Sequence, residues 1–256
     1  IRDSSRSEVG GELELAINRA SVYNGWFTTK NVRKSLKAIS EILSEDQLKA
    51  WSSAYKLEGD KRVAIIMAGN IPLVGFHDLL CVLITGHTAL VKMSSDDNQL
   101  LPIIVDSLKK IESKFAEKIF FTEEKMENFD AVIATGSDNS ARYFNHYFGK
   151  YPNIIRKSRS SVGILDGTES EEELKGLAND VFQYFGLGCR SISKVFIPKN
   201  YDLNLLFNAF YEHKEVINNK KYVNNYEYNK VVYLMGNQEI TENGFFIMKQ
   251  ETALKS

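Results

Sequence analysis

The sequence has few cysteines and no long apolar run, and each absence excludes a class of protein. Its two cysteines, Cys81 and Cys189, lie far apart in a chain of 256 residues, so they do not form the disulfide framework of a small secreted domain. No apolar run reaches the roughly 18–20 residues that span a bilayer, and no signal-peptide pattern is visible. We therefore expect a cytoplasmic protein without a transmembrane segment.

The sequence also lacks an excess of charge of one sign and the residue spacings of metal sites. The formal net charge is −1, which gives no global attraction to nucleic acid or to an anionic membrane. Cysteine and histidine show none of the spacings typical of metal sites, so we expect neither a nucleic-acid partner nor a bound metal. Apolar residues make up 43% and charged residues 25%, as in ordinary globular proteins, and the length favours two domains.

From Arg62 onward, short apolar runs alternate with helical patterns. Strands are predicted at 62–68, 88–93, 118–122 and 130–136, and helices at 73–85, 97–113 and 137–148. The Ser and Asp residues of SSDDNQ (94–99) are predicted to cap the second of these helices. This alternation is typical of a doubly wound parallel sheet. Helical patterns over residues 12–55, the third of them capped by Ser44, are expected to cover it.

A second region begins near Arg159. Strands are predicted at 162–167 and 192–198, helices at 170–185 and 201–213, and a well-packed loop ending in a strand at 220–235. We therefore predict an α/β protein with a Rossmann-like cofactor-binding domain at 1–159 and a smaller α/β catalytic domain at 160–256. The chain starts at Ile1 without Met and ends in a helical pattern, so we expect a fragment whose catalytic domain is incomplete.

Cys189 lies in FGLGCRS (185–191), where Gly186 and Gly188 end a helical segment. A turn of small residues gives a thiol an open position that a substrate carbonyl can approach. The alternative is a buried free cysteine at a tight turn, since free cysteine is usually a small core residue. Cys81 lies in an apolar helical pattern and is predicted to be a core thiol of that kind.

Three separated segments resemble the aldehyde dehydrogenase superfamily. They are AGNIPL (68–73) with TGHTALVKMSS (85–95), ATGS (134–137), and the turn that ends at Cys189. The longer runs VAIIMAGNIPLVGFHDLL, LVKMSSDDNQLLP, FDAVIATGSDNSARYF and YFGLGCRSISKVFIP resemble its acyl-CoA reductase branch, which includes the fatty acyl reductase of bacterial luciferase systems. The resemblance runs from about Trp26 to Ala253.

The resemblance implies a reaction and its catalytic residues. A fatty acyl-CoA would be reduced to an aldehyde with NADPH, or alternatively NADH, through a thioester on Cys189. Asn70 would be the side-chain donor to the oxyanion, with the Cys189 backbone N–H as the second donor. The resemblance also implies a homo-oligomer.

It further implies a set of cofactor-binding residues. Met67, Ala68 and Gly69 would line the nicotinamide ribose. Lys92 would bind the adenosine ribose, with Ser94 and Ser95 beside it. Gly136 and Ser137 would hold the pyrophosphate at a helix N-terminus. Members that prefer NAD often carry Glu where this chain has Ser95. Loss of that carboxylate favours NADPH, although Asp96 is adjacent.

One departure concerns RKSRSS (156–161). Hydrolytic members carry at this point a Glu that activates water, and this stretch has no carboxylate, which fits a reductase that protects its acyl-enzyme from water. Arg156, Lys157 and Arg159 either attract phosphates of CoA or cofactor, or form a solvated basic face. His77 is predicted to make a polar contact on a helix face.

Two other functions stay open. The chain could be a short-chain CoA-acylating aldehyde dehydrogenase, or a non-catalytic relative that keeps the fold and binds a partner. Asn70, Lys92, Gly136 and Cys189 together argue against the second, because a non-catalytic relative does not need all four.

Overall fold

The computed structural model describes residues 2–55 and 59–251. The chain divides into two compact units, the first ending at Ser158 and the second beginning at Arg159. The helical pattern at the end of the sequence falls on residues 252–256, outside the described part. Within that part, no helix is both long and apolar enough to cross a membrane.

The first unit holds six helices and five strands among its described residues. The helices are α1 (Arg2–Tyr23), α2 (Thr29–Ile42), α3 (Glu45–Ser53), α4 (Phe76–Ile84), α5 (Leu100–Ile111) and α6 (Asp138–Phe148). The strands are β1 (Arg62–Ile66), β2 (Thr88–Lys92), β3 (Ile119–Phe121), β4 (Ala131–Thr135) and β5 (Asn153–Arg156). A 3-10 turn, Ser113–Glu117, precedes β3.

The five strands form one parallel sheet in the order β3-β2-β1-β4-β5. The chain winds from β1 in one direction through β2 and β3, and in the other through β4 and β5. The prediction of an α/β fold with a parallel sheet is therefore confirmed. Its signal was the continuous apolar character of β1 and β2, whose three central residues are each buried, as in strands covered on both faces.

Successive residues of β1 face opposite layers of helix. Ile65 belongs to an apolar cluster with residues of α1, α2, α4 and α5. Ala64 belongs to a second cluster, which Phe144 of α6 packs against. The sheet is thus covered on both faces, and the loops at its carboxyl edge are supported by a rigid core.

Two caps predicted from sequence have different outcomes. The Ser44 side chain accepts a hydrogen bond from the Gln47 N–H at 3.3 Å at the start of α3, as predicted. The expected Ser or Asp cap within 94–99 is wrong. α5 begins at Leu100 after Gln99, which makes no side-chain cap bond, and the Asp97 carboxylate instead accepts from the Leu73 N–H.

The second unit holds three helices and four strands among its described residues. They are β6 (Ser161–Ile164), α7 (Glu171–Phe182), β7 (Ile192–Phe196), α8 (Leu203–Phe210), α9 (Lys220–Met235), β8 (Ile240–Glu242) and β9 (Ile247–Lys249). β6 and β7 pair in parallel, and β8 and β9 form an antiparallel hairpin. Two 3-10 turns, Gln183–Gly186 and Tyr211–Asn218, follow α7 and α8. An aromatic-rich core that includes Phe182, Phe210 and Phe246 joins these elements.

The stretch at 220–235 is a helix, so the prediction of a loop was wrong. Its N-cap is Asn219, whose side-chain oxygen accepts from the N–H groups of Lys221 and Tyr222 at 2.9 and 3.1 Å. Tyr226 is the buried residue of α9. A helix that buries so little has no apolar stripe, and periodicity is the signal by which such helices are recognised.

Candidate active site

The candidate residues of the first unit lie at one edge of its sheet. Met67, Ala68, Gly69 and Asn70 follow β1, Lys92 ends β2 with Ser94 and Ser95 shortly after it, and Gly136 and Ser137 follow β4. Because the strands are parallel, these loops all lie at their carboxyl ends. The winding of the chain reverses between β1 and β4, and doubly wound sheets bind ligands at that position.

Gly69 lies tightly against the loop that follows β2. A Cβ atom at this position would lie 2.5 Å from Ser94 Oγ and 2.9 Å from Asp96 Cβ, so the close approach of the two loops requires glycine. The Ser94 Oγ also accepts from the Asp96 N–H at 3.2 Å. On the strand side, the Met67 N–H donates to the Lys92 carbonyl at 3.0 Å. Residues 67–69 are therefore a backbone strip fixed to the end of β2.

Asn70 lies on an exposed turn whose far end is buried. Pro72 is fully buried, and its carbonyl accepts from the Ser35 hydroxyl at 2.6 Å. Leu73 has a φ of 59°, which is strained for a non-glycine residue, and its N–H donates to Asp97 Oδ2 at 2.6 Å. The sequence placed Asn70 correctly in a turn before Pro72, but nothing in it distinguished Asp97 from its neighbour Asp96.

The Lys92 amine is already bound to protein. It donates to the carbonyls of Glu123 and Glu124 at 3.0 and 3.2 Å, which ties the end of β2 to the loop after β3. An ammonium group has three donors, so one remains after these two bonds. A ribose contact by Lys92, as the resemblance implies, is compatible with this arrangement and stays a prediction.

Gly136 and Ser137 form the junction between β4 and α6. A Cβ at Gly136 would lie 2.8 Å from Ser140 Cβ, so this turn also requires glycine. The Gly136 N–H donates to the Arg156 carbonyl at 3.1 Å, and the Ser137 Oγ caps α6 by accepting from the Ser140 N–H at 3.2 Å. The helix N-terminus is present as predicted. The N–H groups of Gly136 and Ser140 already donate to protein atoms, so fewer backbone donors are left for a pyrophosphate.

Arg156 does not belong to a solvated basic face. Its Nη1 atom donates to both carboxylate oxygens of Asp78, at 2.8 and 2.7 Å, and the two side chains are 34% and 11% exposed. It also lies 3.5 Å from the Thr135 hydroxyl. The alternative of a solvated basic face is therefore wrong for Arg156, because Asp78 of α4 balances its charge, whereas a phosphate contact by Arg156 stays a prediction. Lys157 and Arg159 are exposed, and a phosphate role for them stays a prediction.

Cys189 is an exposed free thiol in the second unit, so the alternative of a buried cysteine is wrong. After α7 the chain passes through Tyr184, Phe185 and Gly186, whose φ angles are 52°, 59° and 75°. Left-handed backbone costs roughly 1–2 kcal/mol for a residue with a side chain. Two successive aromatic residues in this region form a strained reversal directly before the thiol.

Contacts on both sides hold this reversal in place. The Phe185 ring lies 5.9 Å from the Tyr222 ring of α9, and the Tyr222 hydroxyl donates to the Phe245 carbonyl at 2.9 Å. Burial raises the pKa of Tyr222 to about 12. Beyond the thiol, the Ser191 N–H donates to the Gly188 carbonyl at 3.0 Å. The nucleophile turn, residues 184–191, is therefore anchored although Cys189 itself is open to solvent.

Cys81 differs from Cys189 in its surroundings. It is partly buried in α4, and burial is the main reason why its pKa is raised, followed by the charge of Asp78. Its sulfur lies 3.8 Å from His77 Nδ1. His77 is exposed and makes the polar contact expected of it. A raised thiol pKa disfavours the thiolate that a nucleophile needs. The prediction that Cys81 is a core thiol is wrong in its burial, because the residue is only partly buried.

The chain also matches a known protein family. Residues 27–206 match the family model described as acyl-CoA reductase (LuxC), and this span contains every candidate residue from Met67 to Cys189. The chain belongs to the LuxC acyl-CoA reductase family. The resemblance inferred from the motifs is thereby confirmed, and the LuxC match includes residues of both units.

Two curated relatives that match this chain are long-chain acyl-protein thioester reductases. The long-chain acyl-protein thioester reductase of Aliivibrio fischeri is 25% identical over an alignment of 146 residues that covers 51% of this chain and 30% of that protein. The long-chain acyl-protein thioester reductase 2 of Photobacterium leiognathi is 23% identical over 146 residues, with the same two shares. The matched segment is thus less than a third of the length of either relative.

The fold of this chain is also similar to that of solved aldehyde dehydrogenases. The lactaldehyde dehydrogenase from Escherichia coli superposes with a TM-score of 0.61 at 13% identity, over 84% of this chain and 51% of that one. At this identity the likeness concerns the fold alone. The chain therefore has an aldehyde-dehydrogenase-like fold, as its motifs predicted.

Proposed function

We propose that this chain carries the cofactor-binding and acyl-accepting residues of an acyl thioester reductase. The observation that supports it most is the exposed thiol of Cys189, in an anchored turn within the span that matches the LuxC family. The chain covers less than two thirds of the relatives it matches, and their names are the basis for the substrate class. Residues 1–159 would be the cofactor domain and 160–256 the catalytic one.

The first half of the reaction is acyl transfer. The Cys189 thiolate attacks the carbonyl carbon of the acyl thioester, the bond from that carbon to the carrier sulfur breaks, and the carrier leaves as a thiol after taking a proton. Negative charge develops on the carbonyl oxygen during the attack. The Asn70 side chain and the Cys189 N–H would donate hydrogen bonds to it, and preorganised donors of this kind lower the barrier.

The second half is reduction of the thioester on Cys189. When bound, a nicotinamide cofactor would supply the hydride that reduces the thioester carbon. The thiohemiacetal that results is held by the Cys189 sulfur, which departs as the aldehyde forms and takes the proton of the hydroxyl. The balance is one acyl thioester, one NADPH and one proton giving one aldehyde, one carrier thiol and NADP⁺.

The residues at the carboxyl edge of the first unit fit such a cofactor. A Cβ at Gly69 would collide with Ser94, and a Cβ at Gly136 would collide with Ser140. Glycine therefore permits the close packing of these loops at the edge where doubly wound sheets bind ligands. Met67, Ala68 and Gly69 would lie along the nicotinamide ribose, Lys92, Ser94 and Ser95 along the adenosine ribose, and Gly136 with Ser137 near the pyrophosphate.

We further propose that NADPH is preferred over NADH. Ser95 is exposed and uncharged, where a carboxylate would repel a 2′-phosphate. Equilibrium titration with each cofactor tests this, and Ser95→Glu should weaken NADPH binding about tenfold with a smaller effect on NADH. Tighter binding of NADH by the parent protein would contradict the preference.

The substrate is proposed to be a long-chain acyl thioester on CoA or on a protein carrier. The family description names acyl-CoA, whereas both relatives are named for acyl-protein thioesters. The purified full-length protein should oxidise NADPH when it is given long-chain acyl-CoA or an acylated carrier protein. A preference for short chains would favour a CoA-acylating aldehyde dehydrogenase, and no oxidation with any thioester would favour a non-catalytic relative. We also propose a homo-oligomer located in the cytoplasm.

A further inference from the structure

One peptide group in the first unit is held at both of its polar atoms. The carbonyl of Pro72 accepts from Ser35 Oγ of α2, and the N–H of Leu73, which belongs to the same peptide, donates to Asp97 Oδ2. Each distance is 2.6 Å. The plane of this peptide is therefore fixed from two directions by two buried side chains.

Asp97 is an unusual choice for such a contact. It is only 9% exposed, and its second oxygen, Oδ1, is buried without a hydrogen-bond partner among the described residues. Burial raises the pKa of this carboxyl to about 6, with the Leu73 hydrogen bond acting in the opposite direction. A buried carboxylate with one bond is a net cost to stability, and Asp97 does not cap α5. Stability therefore does not explain why an acid occupies this position.

The contact does restrain a strained backbone. Leu73 has a positive φ, a conformation that persists only where surrounding contacts enforce it. A hydrogen bond to an ionised carboxylate is roughly twice as strong as one between neutral groups. At the other end of the turn, Gly69 is fixed against Ser94 and Asp96. Asn70 therefore lies between two immobilised points.

We propose that Asp97, together with Ser35, is a positioning residue that sets the orientation of Asn70 by clamping the Pro72–Leu73 peptide. This inference rests on the proposed role of Asn70 in acyl thioester reduction. Asp97 touches neither substrate nor cofactor in this scheme. Its effect on turnover passes through the turn alone.

The test is a double-mutant cycle between Asp97 and Asn70. Asp97→Ala should lower turnover about tenfold, since small misplacements of a catalytic group are costly. Asp97→Asn keeps an acceptor for the Leu73 N–H and should stay within about threefold of the parent. In an Asn70→Ala background, Asp97→Ala should have little further effect, because a misplaced and a missing donor are equivalent.

A matched control comes from the opposite edge of the sheet. Asp130 also accepts from a backbone amide, that of Arg62 at 2.8 Å, so Asp130→Ala removes the same type of bond away from Asn70 and should leave turnover near the parent value. Hydrogen exchange provides a readout independent of activity. The Leu73 amide should exchange at least about tenfold faster in Asp97→Ala but not in Asp130→Ala.

The outcomes separate the inference from the function on which it rests. Suppose that the parent protein is active and that Asp97→Ala and Asp130→Ala have the same turnover and the same exchange rate of the Leu73 amide. The proposal that Asp97 clamps the Pro72–Leu73 peptide is then wrong. The positioning role is also wrong if the losses from Asp97→Ala and Asn70→Ala multiply. If the parent protein transfers no acyl group and oxidises no NADPH, the proposed function fails, and the catalytic role of the clamp with it, whatever the exchange rates are.

Discussion

The turn that carries Asn70 and the nucleophile turn store strain in different ways. Both contain non-glycine residues with positive φ, Leu73 in the first and Tyr184 and Phe185 in the second. The first turn is buried at Pro72 and Leu73, and the side chains of Ser35 and Asp97 hold the peptide group between these two residues. The second is held by an aromatic contact at its start and exposes its thiol.

This difference matches what each turn would have to do. A donor to a developing oxyanion must be fixed in advance, because its value in catalysis depends on preorganisation. A thiol that accepts acyl groups must be open to a bulky substrate. Polar clamping serves the first requirement, and a strained reversal that ends at the surface serves the second.

The largest effect is expected from Asp97, the buried acid that holds the turn carrying Asn70. Burial raises the pKa of Asp97 to about 6 from its ordinary value of 3.8, which corresponds to a penalty of about 3 kcal/mol in the free energy of unfolding. The penalty is absent below about pH 4, where the group is protonated in both states, and complete above about pH 6, where it is ionised in both. Asp97→Asn should therefore raise the free energy of unfolding by up to about 3 kcal/mol at about pH 7.5 and leave it unchanged at about pH 4.

Denaturant unfolding at the two pH values measures this, with Asp96→Asn as the control. Asp96 is the adjacent, exposed acid, so its substitution should change stability little at either pH. Equal effects of the two substitutions would show that burial of Asp97 is not the reason for the penalty.

Next in size is the loss of the donor itself. Asn70→Ala should lower turnover about a hundredfold, or about 2.7 kcal/mol, because one oxyanion donor is removed. The fold should survive, since Asn70 is exposed. Steady-state rates and circular dichroism on the purified variant check both statements, and near-normal turnover would remove Asn70 from the mechanism.

The smallest effect is expected from the backbone of the nucleophile turn. Tyr184→Gly should be more stable than Tyr184→Ala by about 1 kcal/mol, because glycine adopts positive φ without penalty. The control is Glu172, an exposed helical position in α7. There the order should reverse, with Gly less stable than Ala by about 1 kcal/mol. The same order at both positions would mean that Tyr184 is not strained in solution.

The sequence predicted best the elements whose signals are local. Continuous apolar strands predicted the parallel sheet, and Ser137 after Gly136 predicted the start of α6. α9 was missed because its exposed surface leaves no apolar stripe, although Asn219 was a usable cap signal.

The supporting contacts of the site were not predictable. Asp97 reaches Leu73 across 24 positions and Arg156 reaches Asp78 across 78. Such pairs depend on how loops meet at the edge of the sheet, and no spacing in the sequence encodes that meeting. The motifs identified the residues proposed to react, but not those that hold them in place.

The central claim is that Cys189 accepts an acyl group, and mass spectrometry of the intact protein tests it directly. The protein is incubated with a long-chain acyl-CoA in the absence of cofactor, then digested to locate the modification. We expect one acyl group on Cys189, released by hydroxylamine, and none in Cys189→Ser. An acyl group on Cys81 alone, or none at all with any thioester carrier, would contradict the account.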